Sequence, residues 1–275
     1  MSNGFRLVRC AGCGTLFTET LPTSEQAMDY GGYYHEGNLR TPRCVHDRLD
    51  ALVDHFARYR TLNRWLDVGC GAGTLMRAAR GRGWVPVGTE VAPTAADVVS
   101  REGFEVHLGM LEDAPFADES FDVVSIVEVV EHVADTDSLL RSALRVLRPG
   151  GALYLTTPHG LGLSARTLGL EWSGVAPPEH LQLFSIKGLT ALAERPGLRV
   201  RELHSHAVNP HELLARLRPA SSRPACAGVA TRYKLNESLH SNRAGVVAKT
   251  AANTALDILR LGDKLKLTAE RPPWW

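Results

Sequence analysis

Leu66-Asp-Val-Gly-Cys-Gly-Ala-Gly73, LDVGCGAG, decides how this chain folds. An apolar run, RWLDVGC (64–70), enters it. A helical pattern leaves it, with Leu75, Met76, Ala78 and Ala79 on one face and Gly81 and Gly83 as the stop. Gly69, Gly71 and Gly73 alternate, which lets a backbone turn sharply from strand to helix while a ligand lies against it. The turn also presents N–H groups at a helix N-terminus. A dinucleotide fingerprint wants G-x-G-x-x-G, and the third position here is Thr74. Asp67 beside the turn is badly placed for a pyrophosphate, which seeks positive potential. It suits a ligand that carries a cationic ammonium group.

Further elements follow in order. VPVGTEV (85–91) reads as a second strand ending in Glu90, 23 residues after Asp67. An acid there is placed to accept both ribose hydroxyls of a nucleoside and would repel a 2′-phosphate. EVHLGM (105–110) is a third strand, and Phe121 to Val130 is apolar enough for a central strand buried on both faces. Asp135-Thr-Asp137 can cap the next helix, whose Leu139, Leu140, Ala143, Leu144 and Leu147 recur at helical spacing. Pro149-Gly-Gly151 should end that helix, and GALYLTTPH (151–159) is a fifth strand.

LDVGCGAG resembles motif I of the class I S-adenosylmethionine (SAM) methyltransferases. The run P-F-x-x-x-S-F-D-x-V from Pro115, the E-V-V-E-H-V from Glu128 and the R-V-L-R-P-G-G from Arg145 are typical of their small-molecule members, with the family's spacing from Trp65 to about His159. Pro178-Glu-His-Leu-Gln-Leu-Phe-Ser185 resembles the segment after the fifth strand in a bacterial subfamily acting on sugars, quinone precursors and secondary metabolites. The resemblance implies an α/β fold: a Rossmann-like, seven-stranded sandwich with an N-terminal lid segment and a helical insertion between strands six and seven. It implies a helix at Ile186 to Ala193, a sixth strand at Leu198 to His206 and an antiparallel seventh at Lys264 to Glu270. The corresponding regions are 1–45 (knuckle and lid), 46–208 (SAM-binding core), 209–262 (insertion) and 263–275 (closing strand and tail).

SAM is the implied cofactor, held by Asp67, Gly69, Cys70, Gly71, Gly73, Glu90, Val91, Met110, Leu111 and Glu128. Relatives carry Gly-Asp where this chain has Gly109-Met110, and a thioether is a weak acceptor. Met110 and Leu111 are therefore expected to pack on the adenine, with Glu112 or Asp113 as stand-in acids. Methyl transfer is an in-line displacement that needs donor and acceptor held close. A hydroxyl acceptor also needs a base, and no metal is required unless the acceptor chelates one as a catechol does. Candidate bases are His132, His159 and His180, with Glu179 beside His180 to orient it; any one of them could be a hydrogen-bonded wall residue. His180 is expected to take the proton, His132 to shape the pocket, and His159 to touch substrate. In the resembling sugar C-methyltransferases a tyrosine precedes the Glu-His pair by two positions. Here that position is Pro177, which speaks against their carbon chemistry; an oxygen acceptor is expected, with C- or N-methylation as the alternative.

Cys10-Ala-Gly-Cys13-Gly14 is a knuckle of the shape that holds half a zinc site. It resembles the second knuckle of a zinc ribbon in sugar-modifying relatives. The first pair is absent, and recruits such as His35, Cys44 or His46 would be needed, so a vestige is expected. Tyr33 and Tyr34 belong to a tyrosine-rich segment that lies over the SAM pocket in relatives; they touch cofactor or substrate, or simply pack the lid. The insertion carries Val246, Val247, Ala251, Ala255, Leu256, Ile258 and Leu259 at helical spacing, as a substrate cover or a packing helix.

The 275 residues can bury one good core with additions. A formal net charge of +1, with no Lys/Arg run interleaved with aromatics, gives no nucleic-acid footprint. No apolar run reaches the ~20 residues of a membrane span. Five unevenly placed cysteines and no signal peptide point to a reducing cytoplasm. The expectation is methyl transfer from SAM to a small-molecule hydroxyl, on a sugar or secondary metabolite. The rival is a SAM-binding protein without transferase activity. Methylation of RNA or protein is disfavoured by charge and by Glu128-Val-Val-Glu131, where a planar-nitrogen enzyme carries Asn-Pro-Pro-Tyr. Oligomeric state is not legible.

Overall fold

The structure, a computed structural model, describes residues 1–23, 43–215 and 243–273, without the side chains of 43–44, 215 and 243–246. Strands are β1 (Leu7–Arg9), β2 (Leu16–Thr18), β3 (Arg64–Val68), β4 (Val85–Glu90), β5 (Glu105–Leu108), β6 (Phe121–Val127), β7 (Leu147–Pro158), β8 (Gln182–Leu183), β9 (Arg199–His206) and β10 (Lys264–Glu270). Helices are α1 (Arg43–His55), α2 (Thr74–Gly81), α3 (Pro93–Arg101), α4 (Thr136–Val146), α5 (Leu163–Leu168), α6 (Ile186–Glu194), α7 (Pro210–Ala215) and α8 (Arg243–Ile258).

Seven strands form one sheet in the order β5-β4-β3-β6-β7-β10-β9. β5, β4, β3, β6 and β7 are parallel, while β10 runs antiparallel to both β7 and β9. The order reverses between β3 and β4 on one side and β6 on the other. That switch point opens a crevice at the carboxyl ends of the strands, where ligands of open α/β sheets bind. One layer packs Leu139, Leu140 and Ala143 of α4 and Leu189 and Leu192 of α6 onto Val124, Ile126, Leu153, Leu155, Leu265 and Leu267. The other packs Val53 of α1, the following Phe56 and Tyr59, and Leu75 and Ala78 of α2 onto Trp65, Val123 and Tyr154. The Asp135 carboxylate caps α4 on the Ser138 amide, and the Ser185 hydroxyl caps α6 on that of Gly188.

Two expectations are corrected. The central strand ends at Val127, because Glu128 turns left-handed with φ +55°. Helix α4 stops at Val146, so Pro149-Gly-Gly151 lies inside β7 and does not end the helix. There Leu147 pairs with Phe121 and Gly150 donates to the Arg271 carbonyl, so extended partners claim the segment. In α8 the apolar residues Val247 and Ile258 are exposed, as is Leu259 just beyond it, while Asp257 binds β9 through His204 Nδ1 at 2.7 Å and the Ser205 amide at 2.6 Å. The N-terminal hairpin β1–β2 joins β8 in a separate three-stranded sheet. Tyr33, Tyr34, His35, the Cys44 side chain and residues 216–242 of the insertion lie outside the described residues.

Candidate active site

The glycine turn follows β3. Gly69, Gly71 and Gly73 have φ of +66°, +51° and +73°, which side chains rarely adopt. At Gly69 a Cβ would also lie 2.5 Å from a Val129 methyl, so the turn and the loop after β6 approach as closely as glycine permits. The Cys70 amide donates to Thr89 at 3.0 Å, tying the turn to β4. The Cys70 thiol packs with Met76, Val99 and Phe104, and burial with the nearby Asp67 and Glu90 pushes it up. What Cys70 can offer a ligand is therefore its backbone.

Two carboxylates face this turn from inside the protein. Asp67 is buried and accepts from the Ser125 hydroxyl at 2.7 Å. Burial, opposed by that hydrogen bond and aided by the Glu90 charge, pushes it up to about 7. Glu90 is buried at the end of β4, one oxygen accepting from the Gly71 amide and the other from the Ala92 amide, both at 2.8 Å. Each oxygen keeps a lone pair for a further donor. Glu90 thus holds the shape of the turn. Val91 and Met110 are exposed beside it, as apolar cover for a ring requires. Leu111 departs from expectation: its side chain is in the core, leaving its backbone and the turn Leu111–Asp113 to the ligand side. Two buried acids and a glycine cradle fit a ligand that has an ammonium, a sulfonium and a vicinal diol.

The loop after β6 builds the second half of the site. Glu128 takes the Thr156 hydroxyl at 2.7 Å and Lys264 Nζ at 2.8 Å, which sequence reasoning missed. Lys264 and Thr156 hold its carboxyl below the usual range against the cost of burial. Glu131, also missed as a site residue, is buried and accepts from Thr157 Oγ1 at 3.0 Å. Burial and the Glu128 charge push it up to about 8. The E-V-V-E-H string held that signal, since a carboxyl next to a site histidine is a natural partner.

His132 and His180 come together, their ring centroids 4.9 Å apart. His132 Nδ1 lies 2.7 Å from the Glu179 carbonyl, and His180 Nδ1 lies 2.7 Å from the Gly174 carbonyl. A carbonyl only accepts, so each Nδ1 carries hydrogen and each neutral ring keeps its lone pair on Nε2. Burial and His180 hold His132 below its usual range. The expected orientation of His180 by the Glu179 carboxylate is corrected: Glu179 holds His132, through its backbone. A small cavity against His180 is lined by Leu7, Leu16, Val175 and Leu183, so the N-terminal sheet walls this end. His159 is buried with Nδ1 2.9 Å from the Gly262 carbonyl, tying β7 to the start of β10. Glu131, His132 and His180 each offer one ligand atom within 4.8 Å of the others, a spacing that a divalent cation could use.

Residues 42–203 match the family described as Methyltransferase domain. This chain belongs to that family. Similar curated proteins include the "Ubiquinone biosynthesis O-methyltransferase" of Parvibaculum lavamentivorans, 28% identical over 159 residues, covering 54% of this chain and 63% of the relative. That of Brucella anthropi is 28% identical, covering 54% and 64%. The chain thus matches less than two thirds of these relatives' length. Among solved structures, a SAM-dependent methyltransferase from Archaeoglobus fulgidus matches 88% of this chain and all of its own, with TM-score 0.58 and 17% identity. A phosphoethanolamine N-methyltransferase from Haemonchus contortus in complex with S-adenosyl-L-methionine matches 82% of this chain and 52% of its own, with TM-score 0.54 and 18% identity. These likenesses show the shared fold. Among the described residues no helix is long and apolar enough to cross a membrane.

Proposed function

We propose that this enzyme methylates a hydroxyl of a small molecule, and that the proton leaves through the His132–His180 pair. The observation that carries this reading is the pair itself: two imidazoles with ring centroids 4.9 Å apart, each fixed through Nδ1 on a backbone carbonyl, which leaves Nε2 to meet a ligand. SAM, when bound, supplies the methyl group. The acceptor oxygen forms the new C–O bond as the C–S bond breaks, and an imidazole Nε2 takes the acceptor proton. Asp67 faces the cationic end of the cofactor and Glu90 its ribose. Val91, Met110 and the Leu111 backbone border the adenine. Tyr33 and Tyr34, outside the described residues, are proposed to touch the methionine end or the acceptor. The printed names of the curated relatives, O-methyltransferases of ubiquinone biosynthesis, support an oxygen acceptor. A sugar or secondary-metabolite hydroxyl, the small-molecule partner without nucleic acid, and a cytoplasmic setting belong to the same proposal.

His180 is the favoured base because its wall faces the acceptor end, while burial disfavours the charged form of His132. His180→Ala should lower turnover by roughly 10²–10⁴ with SAM affinity within a few-fold, and His132→Ala should cost less. Turnover of the two variants at saturating SAM decides; the opposite ranking reverses the roles. The Glu131–His132–His180 cluster favours a second reading, in which a divalent cation binds a vicinal pair of acceptor hydroxyls. Loss of activity in a chelator, restored by the metal, would select it.

A further inference from the structure

Past Asp122 at its start, β6 is an apolar run broken by one hydroxyl, that of Ser125. Alternation along the strand puts Ser125 on the same face as Val123, and it stands in register with Asp67 of β3. The same rule puts Trp65 on that face of β3, two residues before Asp67. All three are buried, Ser125 and Trp65 completely. A hydroxyl in such a place costs stability unless it is hydrogen-bonded, and Ser125 is bonded on both sides.

Trp65 fixes the direction of those bonds. Its ring packs edge-on against Phe56 and Trp84, with centroids 5.5 and 5.3 Å away. Its Nε1 lies 2.9 Å from Ser125 Oγ, and an indole nitrogen only donates. Ser125 therefore accepts from Trp65, and its single hydrogen goes elsewhere. Two acceptors are in reach, Asp67 Oδ1 at 2.7 Å and the Leu66 carbonyl at 3.2 Å. The carboxylate is nearer, and a bond to a charged acceptor is the stronger kind. Asp67 Oδ2 takes no hydrogen bond among the described residues, so one oxygen is tied down and the other is left to bond a ligand. The titratable groups that face Asp67 are Glu90 at the end of β4 and the Cys70 thiol in the turn, and neither is a cation. Burial pushes Asp67 up to about 7 and Glu90 adds to it, while the Ser125 hydrogen bond opposes both.

We propose that Ser125 is a positioning residue for the cofactor: held by Trp65, it gives its hydrogen to Asp67 Oδ1, favours the ionised carboxylate and leaves Oδ2 to the cofactor's ammonium. This rests on reading Asp67 as the partner of the cofactor's cationic end. Ser125 touches neither the methyl group nor the acceptor. It acts through Asp67, so its signature is a pH dependence of binding.

The test is calorimetry of S-adenosylhomocysteine, which carries the ammonium without the sulfonium, on the full chain and on Ser125→Ala from pH 6 to pH 9. The ratio of the two affinities at each pH cancels the ligand's own titration. Loss of a hydrogen bond to a charged group should move the Asp67 midpoint up by about one pH unit. The wild type should then bind about tenfold tighter at pH 6 and within about twofold at pH 9. A ratio that does not change with pH overturns the proposal, because a serine that merely supports the strand weakens binding equally at every pH. Ser125→Cys fills the same space with a weaker donor and should show the same narrowing at smaller amplitude; it replaces the alanine variant if that one does not fold. Wild-type affinity that stays flat from pH 6 to pH 8 would take Asp67 away from the ammonium and overturn the proposal with it. Failure of the wild type to bind S-adenosylhomocysteine at all would sink the methyl-transfer reading instead. The carbon-13 titration of the Asp67 carboxyl in the ligand-free protein then decides: a midpoint raised in Ser125→Ala supports the role of Ser125, and an unmoved one overturns it.

Discussion

Glu90 carries two duties, and its substitution should show both. It bonds the Gly71 and Ala92 amides and faces the proposed ribose position. Losing a charge-assisted acceptor costs roughly 1.5–3 kcal/mol, so Glu90→Ala should weaken SAM binding at least about tenfold. Two buried amides lose their partner, so the melting temperature should fall as well; unchanged affinity by calorimetry would refute the assignment. Asp67 sets a pH dependence. Its folded value is raised from 3.8 to about 7, so its contribution to the stability of the ligand-free fold is full below about pH 4 and is lost as pH rises through 7. A bound ammonium or sulfonium favours the ionised form, so SAM should release close to one proton at pH 6 and none at pH 8. Calorimetry in buffers of different ionisation heat measures this; equal heats at pH 6 would contradict it. Asp67, the three glycines and Glu90 were legible in the sequence because turn geometry and ligand charge constrain residue type at fixed spacing. The partner of His132 was not, because it is a backbone carbonyl, and every residue has one.

Among the elements, the entry to β3 depends on a single side chain. Asp122 at the start of β6 is fully buried and accepts from the Thr61 and Leu62 amides at 3.0 Å, the Arg64 amide at 3.2 Å and Arg148 Nε at 2.5 Å. It fastens the α1–β3 connection to β6 and β7, and so sets where the glycine turn begins. Removing one partner of a buried ion pair costs roughly 3–5 kcal/mol, and Asp122→Ala should lower urea-unfolding stability by that order. A loss within experimental error would show that the connection is held otherwise. Strand and helix order could be read from apolar periodicity, but two boundaries could not. Glu128 leaves β6 early through a left-handed φ that periodicity does not encode, and Leu147–Gly151 joins β7 because β6 and Arg271 offer it hydrogen-bond partners.

At the scale of the molecule, one sheet brings together parts far apart in the chain. The glycine turn, the histidine pair and the lysines of β10 line up along its carboxyl edge in the order β3, β6, β7, β10. The sequence exposed the glycine turn and its two buried acids, whose residue types the backbone geometry constrains. It concealed the partners of Glu128 and Glu131, because Thr156, Lys264 and Thr157 come from other strands and no general spacing rule applies to them. The most direct test incubates the protein with SAM bearing a deuterated methyl group and a small-molecule extract, and follows the label by mass spectrometry. The expected result is one labelled small molecule, formed together with S-adenosylhomocysteine and suppressed by His180→Ala. SAM binding without any labelled small molecule, or label appearing in RNA or protein instead, would contradict it.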